Sequence, residues 1–177
     1  MSTQKALVTG GAGFIGSHLV RELLKRRADV RVLDNFSTGR RENLKEVVSE
    51  IELIKGDITN TKDAKKALKG ITHLYHLAAV SSVPQSVVDP IATFEANLLG
   101  TCTMFEQARL AGVKRIVFIS SASVYGSDAP VPFKETLPLC GSSPYATTKL
   151  MGEQLCDLYL RLYGIETVAL RLFSVYG

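Results

Sequence analysis

The stretch TGGAGFIGSHL, from Thr9 to Leu19, decides the fold. The short apolar run KALVT (5–9) precedes it, and an amphipathic helical pattern begins near Phe14. Glycines three residues apart allow a tight turn, a close approach of the backbone to a ligand and close packing of the helix on the strand. The helix would direct free N–H groups and the positive end of its dipole at a pyrophosphate. The stretch therefore predicts a strand, a phosphate-binding loop and a helix.

Apolar runs alternate with helical patterns along the rest of the chain. The predicted strands are short and rich in Val, Ile and Leu, as strands buried on both faces are, and they span residues 5–9, 29–34, 50–56, 72–78, 115–120 and 166–172. The predicted helices span residues 14–27, 62–69, 92–111 and 144–163. This alternation indicates an α/β fold of βαβ units with right-handed crossovers, which gives a doubly wound parallel sheet of the Rossmann type.

The length and the end of the chain bear on its domain organisation. The 177 residues contain no repeat and no internal linker, so we expect one domain over residues 1–177. The last predicted strand leads into LRLFSVYG, and no helical pattern follows that would cover it. We therefore expect the chain to be cut from a longer protein.

Composition excludes several classes of protein. No apolar run has the roughly 18 residues of a membrane span, and the N-terminus lacks the features of a signal peptide, so we expect a cytoplasmic protein. Three distant cysteines and three histidines without ligand spacing predict reduced thiols and no metal site. The net charge of +4 comes from short basic runs mixed with acids. These runs predict solvated helix ends and no nucleic-acid surface, with Arg40 or Arg41 as candidate phosphate neighbours.

Carboxylates follow the second and third strands. Asp34 lies 18 residues beyond Gly16, where a carboxylate binds the adenosine ribose hydroxyls of a dinucleotide and disfavours the 2′-phosphate of NADP. The alternative is a structural glycine turn with a capping aspartate. Asp57 could accept a bond from an adenine amino group or cap a turn. Ala78 and Ala79 suit close approach of a ligand, but also tight packing.

A tyrosine and a lysine share one face of the last predicted helix. Ser143 is a plausible N-cap, Pro144 suits the first helical position, and Tyr145 and Lys149 lie one turn apart. The lysine ammonium, the helix N-terminus and a nicotinamide cation would together lower the phenol pKa toward neutrality. Such a tyrosine exchanges a proton with a sugar or alcohol hydroxyl. The alternative is a packing tyrosine and a solvated lysine.

Taken together, these motifs resemble the extended short-chain dehydrogenase/reductase family, in its nucleotide-sugar epimerase/dehydratase branch. The matching pieces follow the family's order and spacing from end to end: TGGAGFIGSHL, LDNFSTGRREN, GDI, HLAA, DPIATFEANLLGT, ISSASVYG, SPYATTKLMGE and LRLFSVYG. The resemblance implies a bound NAD, a nucleotide-sugar substrate and a catalytic trio of Ser121, Tyr145 and Lys149.

The resemblance also implies the residues of the cofactor site. Those expected at the pyrophosphate are Gly10, Gly13, Phe14, Ile15 and Gly16. Those expected at the adenosine ribose are Asp34, Asn35, Ser37, Thr38 and Gly39, with Asp57 and Ile58 flanking adenine. Those expected along the rest of the path are Leu77, Ala78, Ala79, Val80, Ser81 and Asn97. Tyr145, Lys149 and Phe173 are expected beside the nicotinamide and its ribose.

The stretch ISSASVYG then indicates the reaction. Family members that dehydrate the sugar carry acids at the positions of Ala122 and Ser123, decarboxylating members carry a glutamate at that of Ser123, and 3,5-epimerising members use a nearby cysteine. This chain has only Ser121 and Ser123 there, which resembles the 4-epimerases. The alternatives are a dehydratase or reductase of the same branch, and a non-catalytic dinucleotide-sensing module.

The resemblance also concerns substrate and assembly. SSVPQSVVDP (81–90) resembles the epimerases of UDP-glucose and UDP-N-acetylglucosamine, so Ser82 and Ser86 are either sugar contacts or helix-capping serines. Ser123 is a further substrate candidate. Ser174 stands where the family usually has an asparagine at the substrate diphosphate. The resemblance also implies that a C-terminal substrate-binding part, which holds the nucleotide in the family, is missing from this chain. Family members pair through helices matching 92–111 and 144–163, which implies a homodimer with a four-helix interface.

Overall fold

Short runs of β-branched and leucine residues form a parallel sheet of six strands in a computed structural model that describes residues 4–177. The strands are β1 (Lys5–Thr9), β2 (Asp29–Asp34), β3 (Ile51–Lys55), β4 (His73–His76), β5 (Arg115–Ser121) and β6 (Glu166–Leu172). Their spatial order is β3-β2-β1-β4-β5-β6, and neighbouring strands are parallel throughout. The strand order reverses between β1 and β4, which opens a crevice at the carboxyl ends of these strands. The predicted doubly wound sheet is confirmed.

Helices connect the strands and cover the sheet. They are α1 (Phe14–Lys25), α2 (Thr61–Leu68), α3 (Val83–Val88), α4 (Pro90–Phe94), α5 (Gly100–Leu110) and α6 (Pro144–Tyr163). A π-helical turn over Glu95–Leu99 joins α4 to α5, and 3-10 turns occupy Arg41–Leu44, Val48–Glu50 and Ala122–Tyr125. α1 packs on one face of the sheet, while α2, α5 and α6 pack on the other.

Alternation along the strands divides the core in two, because successive side chains of a strand point to opposite faces. Ala6 and Val8 of β1 belong to the cluster beneath α1, together with Val20. Leu7, between them, belongs to the larger cluster beneath α2, α5 and α6, which also contains Phe105. Each cluster extends into a loop at the carboxyl edge of the sheet, through Ala12 in the first and Ile58 in the second.

The edge strand β6 has one covered and one open face. Thr167 donates from its hydroxyl to the Cys156 carbonyl of α6 at 2.9 Å, so this side of the strand is packed. Val168 and Leu170 point the other way and expose 44% and 41% of their surface. The described residues therefore leave the face of β6 opposite α6 in contact with solvent.

A buried histidine connects β1, β4 and α5 near the crevice. His76 Nδ1 lies 2.8 Å from Thr9 Oγ1, and its Nε2 lies 3.0 Å from Thr101 Oγ1. Thr9 Oγ1 also accepts the N–H groups of residues 77–78, so its own hydrogen is left to donate to His76 Nδ1. Thr101 Oγ1 donates to the Asn97 carbonyl at 2.5 Å. His76 is therefore the neutral tautomer that carries its hydrogen on Nε2.

The strand predictions agree with the structure to within two residues, and the predicted helix 92–111 is helical but contains a π-helical turn that was not predicted. The backbone keeps right-handed helical dihedral angles from α4 through the π-helical turn into α5, so these three pieces form one continuous helix. α3 was not predicted; Ser82 caps it and Pro84 lies in its first turn. Asp89 then caps α4, whose first residue is Pro90. Proline is favoured in the first turn of a helix but interrupts a helix that has already begun. This explains why α3 and α4 are two short helices and not one.

The longest helix, α6, has 20 residues, and charged side chains recur along it at Lys149, Glu153, Asp157 and Arg161. A bilayer crossing needs about 20 mostly apolar residues. Within residues 4–177, none of the helices combines that length with that apolarity.

Candidate active site

A crevice of about 560 Å³ lies at the carboxyl ends of β1, β2 and β4. Apart from Asn97, Tyr145, Lys149 and Phe173, each residue predicted at the cofactor lines it. Further lining residues were not predicted as site residues: Leu33, Gly56, Gln85, Ala96 and Ile119. Leu33 and Gly56 directly precede Asp34 and Asp57, so their positions next to predicted site residues could have indicated that they line the crevice. Nothing comparable in the sequence indicated Gln85 or Ala96.

The turn from β1 into α1 leaves no room for a side chain at Gly10 or at Gly16. Gly10 has a φ of +69°, and a Cβ placed on it would lie 2.9 Å from the Ala78 amide nitrogen. A Cβ on Gly16 would overlap the Gly10 carbonyl oxygen. L-residues rarely adopt the backbone conformation of Gly10. The loop therefore brings its backbone, without side chains, to the floor of the crevice.

The amino end of α1 is free of side-chain caps. Its N-cap is Gly13, and no acidic residue lies in the first turn. By contrast, the side chains of Asn60, Ser82, Asp89 and Ser143 cap α2, α3, α4 and α6. The first N–H groups of α1 thus open into the crevice with the positive end of the helix dipole behind them, an arrangement that suits a phosphate.

The Asp34 carboxylate lies at the end of β2, where it is buried and accepts two backbone N–H groups. Ala12 donates to its Oδ2 at 2.9 Å, and Phe36 donates to its Oδ1 at 2.8 Å. A Cβ on Gly39 would come within 3.0 Å of Oδ1, so a glycine there keeps the carboxylate uncovered. Each carboxylate oxygen has a second lone pair, which leaves Asp34 able to accept hydroxyl hydrogens from a ligand.

Asp57 is fixed at the end of β3 by its own neighbours. Asn35 Nδ2 donates to Asp57 Oδ2 at 2.9 Å, while the Thr59 N–H and hydroxyl donate to Oδ1 at 2.8 and 2.7 Å. Burial acts to raise the pKa of Asp57, but these hydrogen bonds outweigh it and hold the pKa below its usual value. Asp57 therefore caps its turn and also lines the crevice, so its two sequence interpretations are compatible.

Asn97 lies behind the crevice wall and does not line the crevice. Its Oδ1 accepts the Val80 N–H at 2.7 Å, and its Nδ2 donates to the Val80 carbonyl at 3.0 Å. Nδ2 also lies 3.2 Å from the Thr148 hydroxyl of α6. Asn97 thus pairs with loop backbone as a strand would, and it connects the crevice wall to the helix that carries Tyr145 and Lys149.

Tyr145 and Lys149 lie on α6 beside the end of β5, and both are buried. Lys149 Nζ donates to the Ile119 carbonyl at 2.8 Å and lies 5.7 Å from the centre of the Tyr145 ring. Burial lowers the pKa of Lys149 to about 8. Burial raises the pKa of Tyr145, while the Ser121 hydroxyl acts to lower it. The groups of this chain therefore do not by themselves produce the near-neutral phenol that the sequence predicts.

The Ser121 hydroxyl is oriented by Ser123. Ser123 donates to Ser121 Oγ from its N–H at 3.2 Å and from its hydroxyl at 2.9 Å. With both lone pairs of the Ser121 oxygen occupied, its own hydrogen is left to donate to a further group. Ala122 contributes no polar side chain, so the wall formed by residues 121–123 offers hydroxyls and no ionisable group.

The remaining predicted residues lie outside this arrangement or have local roles. Ser82 lines the crevice but also accepts the Gln85 N–H at 3.2 Å as the cap of α3. Ser86 is buried and donates to the Val83 carbonyl, so the structure supports its structural interpretation. Phe173 is 59% exposed and packs on Phe133, and Ser174 is exposed in the loop after β6.

The chain resembles known proteins over nearly its whole length. A model of the NAD dependent epimerase/dehydratase family matches residues 6–177. The UDP-glucose 4-epimerase of Erwinia amylovora is 40% identical over 97% of this chain and 53% of its own length. The chain spans about half the length of the curated relatives it matches.

Two solved structures share the fold closely. The UDP-N-acetylglucosamine 4-epimerase from Methanobrevibacter ruminantium, in complex with UDP-N-acetylmuramic acid, has a TM-score of 0.93 and 36% identity, covering all of this chain and 57% of that one. The Thermus thermophilus UDP-glucose 4-epimerase, in complex with NAD, has a TM-score of 0.89 and 40% identity, covering 95% of this chain and 54% of that one.

Proposed function

The chain belongs to the NAD dependent epimerase/dehydratase family, and on that premise we propose that the protein that carries it is an NAD-dependent 4-epimerase of nucleotide sugars. The substrate class is a UDP-hexose or a UDP-N-acetylhexosamine, the classes in the names of its relatives. The observation that carries the proposal is the wall of residues 121–123, which sets an oriented hydroxyl beside Tyr145 without a second acid or base.

The crevice fits NAD. Its loop backbone and the uncapped amino end of α1 suit the pyrophosphate, and the buried Asp34 carboxylate suits the adenosine ribose hydroxyls. Asp34 would repel the 2′-phosphate of NADP, which favours NAD. When bound, NAD would supply the chemistry of reversible hydride transfer at C4 of the sugar.

Proton transfer is assigned to the residues beside the crevice. Tyr145, as the phenolate, takes the proton of the sugar 4-hydroxyl and later returns it to the same oxygen. The Ser121 hydroxyl donates to that oxygen and holds it during the transfer. Lys149 places its ammonium near the phenol, and since burial leaves its pKa at about 8, it is charged at neutral pH. Burial raises the pKa of Tyr145, so phenolate formation requires a further positive charge near the ring.

A dehydratase needs a proton donor and acceptor for the elimination of water, in addition to the tyrosine. Ala122 and Ser123 provide neither. Because Ser123 Oγ already donates to Ser121 Oγ at 2.9 Å, its hydroxyl serves to orient Ser121. The wall thus supports an epimerase over a dehydratase, and the presence of Ser121, Tyr145 and Lys149 together supports an enzyme over a sensing module.

We propose that the protein forms a homodimer through α5 and α6. Apolar side chains on these helices are exposed, among them Leu110 at 62% on α5 and Leu162 at 63% on α6. Met151 and Leu158, both 37% exposed, continue this surface along α6. Two copies pairing these helices would bury the surface in a four-helix interface. Sedimentation equilibrium would test the dimer, and a monomer at micromolar concentration would contradict it.

We further propose a cytoplasmic location. The thiols of Cys102, Cys140 and Cys156 are free, and Cys140 is exposed. Free and exposed thiols suit a reducing compartment.

The reaction is tested with the full-length natural protein and UDP-galactose, UDP-N-acetylgalactosamine or UDP-glucuronate. We expect inversion at C4 of one of these sugars, measured by NMR of the product, without net formation of NADH. A dehydrated or decarboxylated product, or stoichiometric NADH, would contradict the proposal. The same preparation, denatured and extracted, is expected to release NAD and not NADP.

A further inference from the structure

A largely buried ion pair joins α6 to β6 next to the wall of residues 121–123. Arg171 donates to Glu153 Oε2 from Nη2 at 2.8 Å and to Oε1 from Nε at 3.0 Å. The two side chains are only 20% and 11% exposed. Glu153 follows Lys149 by one helical turn, so the pair lies on the helix that carries Tyr145 and Lys149. Such a two-bond contact has a fixed geometry and transmits position between the elements it joins.

The pair contacts the chain on both sides of this wall. Ser120, the residue before Ser121, donates from its hydroxyl to Glu153 Oε1 at 2.5 Å. Tyr125, two residues after Ser123, accepts Nη1–H of Arg171 at 3.0 Å, and its ring lies 5.0 Å beneath the guanidinium. Ser120 and Tyr125 are themselves buried, so both ends of the wall are fixed from the inside.

Arg171 also contacts the outer segment, residues 126–143, which joins the wall to α6. Nη1 of Arg171 also donates to the Glu135 carbonyl at 3.1 Å. Further along that segment, the Cys140 N–H donates to the Val124 carbonyl at 2.7 Å. The ion pair thus connects α6, β6, the wall and the outer segment. The hydrogen bond to Glu153, with a smaller contribution from that to Tyr125, holds the Arg171 pKa above its usual range although burial acts to lower it.

We propose that Glu153 and Arg171 are positioning residues that fix the Ser121 hydroxyl relative to Tyr145 and Lys149. The inference rests on the proposed function, because it concerns the oxygen that Ser121 and Tyr145 would share. Stability alone is a weak reason for the pair, since a buried ion pair is often replaced by apolar side chains without loss of stability. Removal of one partner, however, leaves an uncompensated charge beside the wall and releases Ser120 or Tyr125.

The proposal is tested in the full-length protein with Glu153→Gln and with the double variant Glu153→Met/Arg171→Met. A displacement of about 1 Å at a catalytic group costs roughly a hundredfold in rate. We expect Glu153→Gln to lower kcat by about 10- to 100-fold, with KM and the Kd for NAD within about threefold. The double variant is expected to recover the thermal midpoint and not kcat. Glu52→Gln, which breaks the Arg31–Glu52 pair between β2 and β3, is the matched control and is expected to leave kcat unchanged.

Recovery of kcat together with the thermal midpoint in the double variant would overturn the proposal, because the pair would then be structural only. An effect of Glu153→Gln on kcat no larger than that of Glu52→Gln would also overturn it. Hydrogen exchange without cofactor or substrate gives a second readout. Glu153→Gln is expected to speed exchange at the Ser123 and Cys140 amides and to leave the Ala12 amide unchanged. This readout does not depend on the reaction, so failure of the wild type to invert C4 would refute only the proposed function.

Discussion

His76 makes the stability of the protein depend on pH between pH 7 and pH 5, above the range in which ordinary carboxylates titrate. The side chain is buried between Thr9 and Thr101, and burial, with the nearby Lys149 ammonium, lowers its pKa from 6.5 to about 3. A lowered pKa means that protons bind the unfolded state preferentially. The stabilising contribution is therefore fully present above pH 6.5 and is lost progressively as the pH falls toward 3.

The size of this effect follows from the two pKa values. At pH 5 almost every unfolded chain carries the proton on His76 and almost no folded chain does, which destabilises the fold by about 2 kcal/mol relative to pH 7. Lys149 remains protonated in the folded and unfolded states over most of this range. Protonation of His76 would also place a hydrogen on Nδ1, facing the hydrogen that the Thr9 hydroxyl donates to it. Because the Thr9 oxygen already accepts the N–H groups of residues 77–78, the imidazolium would find no hydrogen-bond acceptor at Nδ1.

Urea unfolding at pH 7 and pH 5, followed by circular dichroism, measures this difference. We expect the wild type to lose about 2 kcal/mol between the two values of pH, and His76→Gln to lose much less while being less stable than the wild type at pH 7. His18→Gln is the control, because its ring is exposed on α1. A His76→Gln variant that keeps the wild-type dependence on pH would refute the reasoning.

Other predictions concern the crevice. Tyr145→Phe is expected to lower kcat by about 10²- to 10⁴-fold and to leave the calorimetric affinity for NAD unchanged; unchanged turnover would contradict the role of the phenol. Gly16→Ala is expected to weaken NAD binding by about tenfold or more, because its methyl group overlaps the Gly10 carbonyl oxygen. Gly70→Ala, where the added atom meets open space, costs stability through its φ of +73° but is expected to leave binding unchanged. Asp34→Asn is expected to lower the ratio of the Kd for NADP to the Kd for NAD by about tenfold. An equal decrease in an Asp57→Asn variant would show that Asp34 is not the cause of the preference for NAD.

The parts of the site that follow from local chemistry were predictable. A glycine loop between a strand and a helix depends on residues adjacent in sequence, and Asp34 follows directly from where β2 ends. The π-helical turn within the predicted helix 92–111 was not predictable in the same way. The Asn97 side chain in this turn contacts Val80, which lies 17 residues earlier in the chain, and the helix propensities of residues 92–111 do not predict that contact.

The ion pair between Glu153 and Arg171 was missed for a similar reason. Each residue fits a solvated position in its own element, a charged residue on a helix and one on an edge strand. Only the packing of α6 against β6 brings them together and turns them toward Ser120 and Tyr125. Tyr145 shows the converse, since its position was predicted while the pKa depends on burial that the sequence does not reveal.

The order of the crevice residues along the chain has a consequence for synthesis. The residues that line the crevice all lie at or before Ile119, whereas Tyr145 and Lys149 follow on α6. A ribosome therefore delivers every wall of the crevice before it delivers the helix with the acid–base residues. Domains fold as units, and the core beneath α2, α5 and α6 includes Cys156 and Tyr159 of α6. The crevice therefore reaches its final form only after the helix that carries the acid–base residues has been synthesised, although the residues that line it are complete earlier.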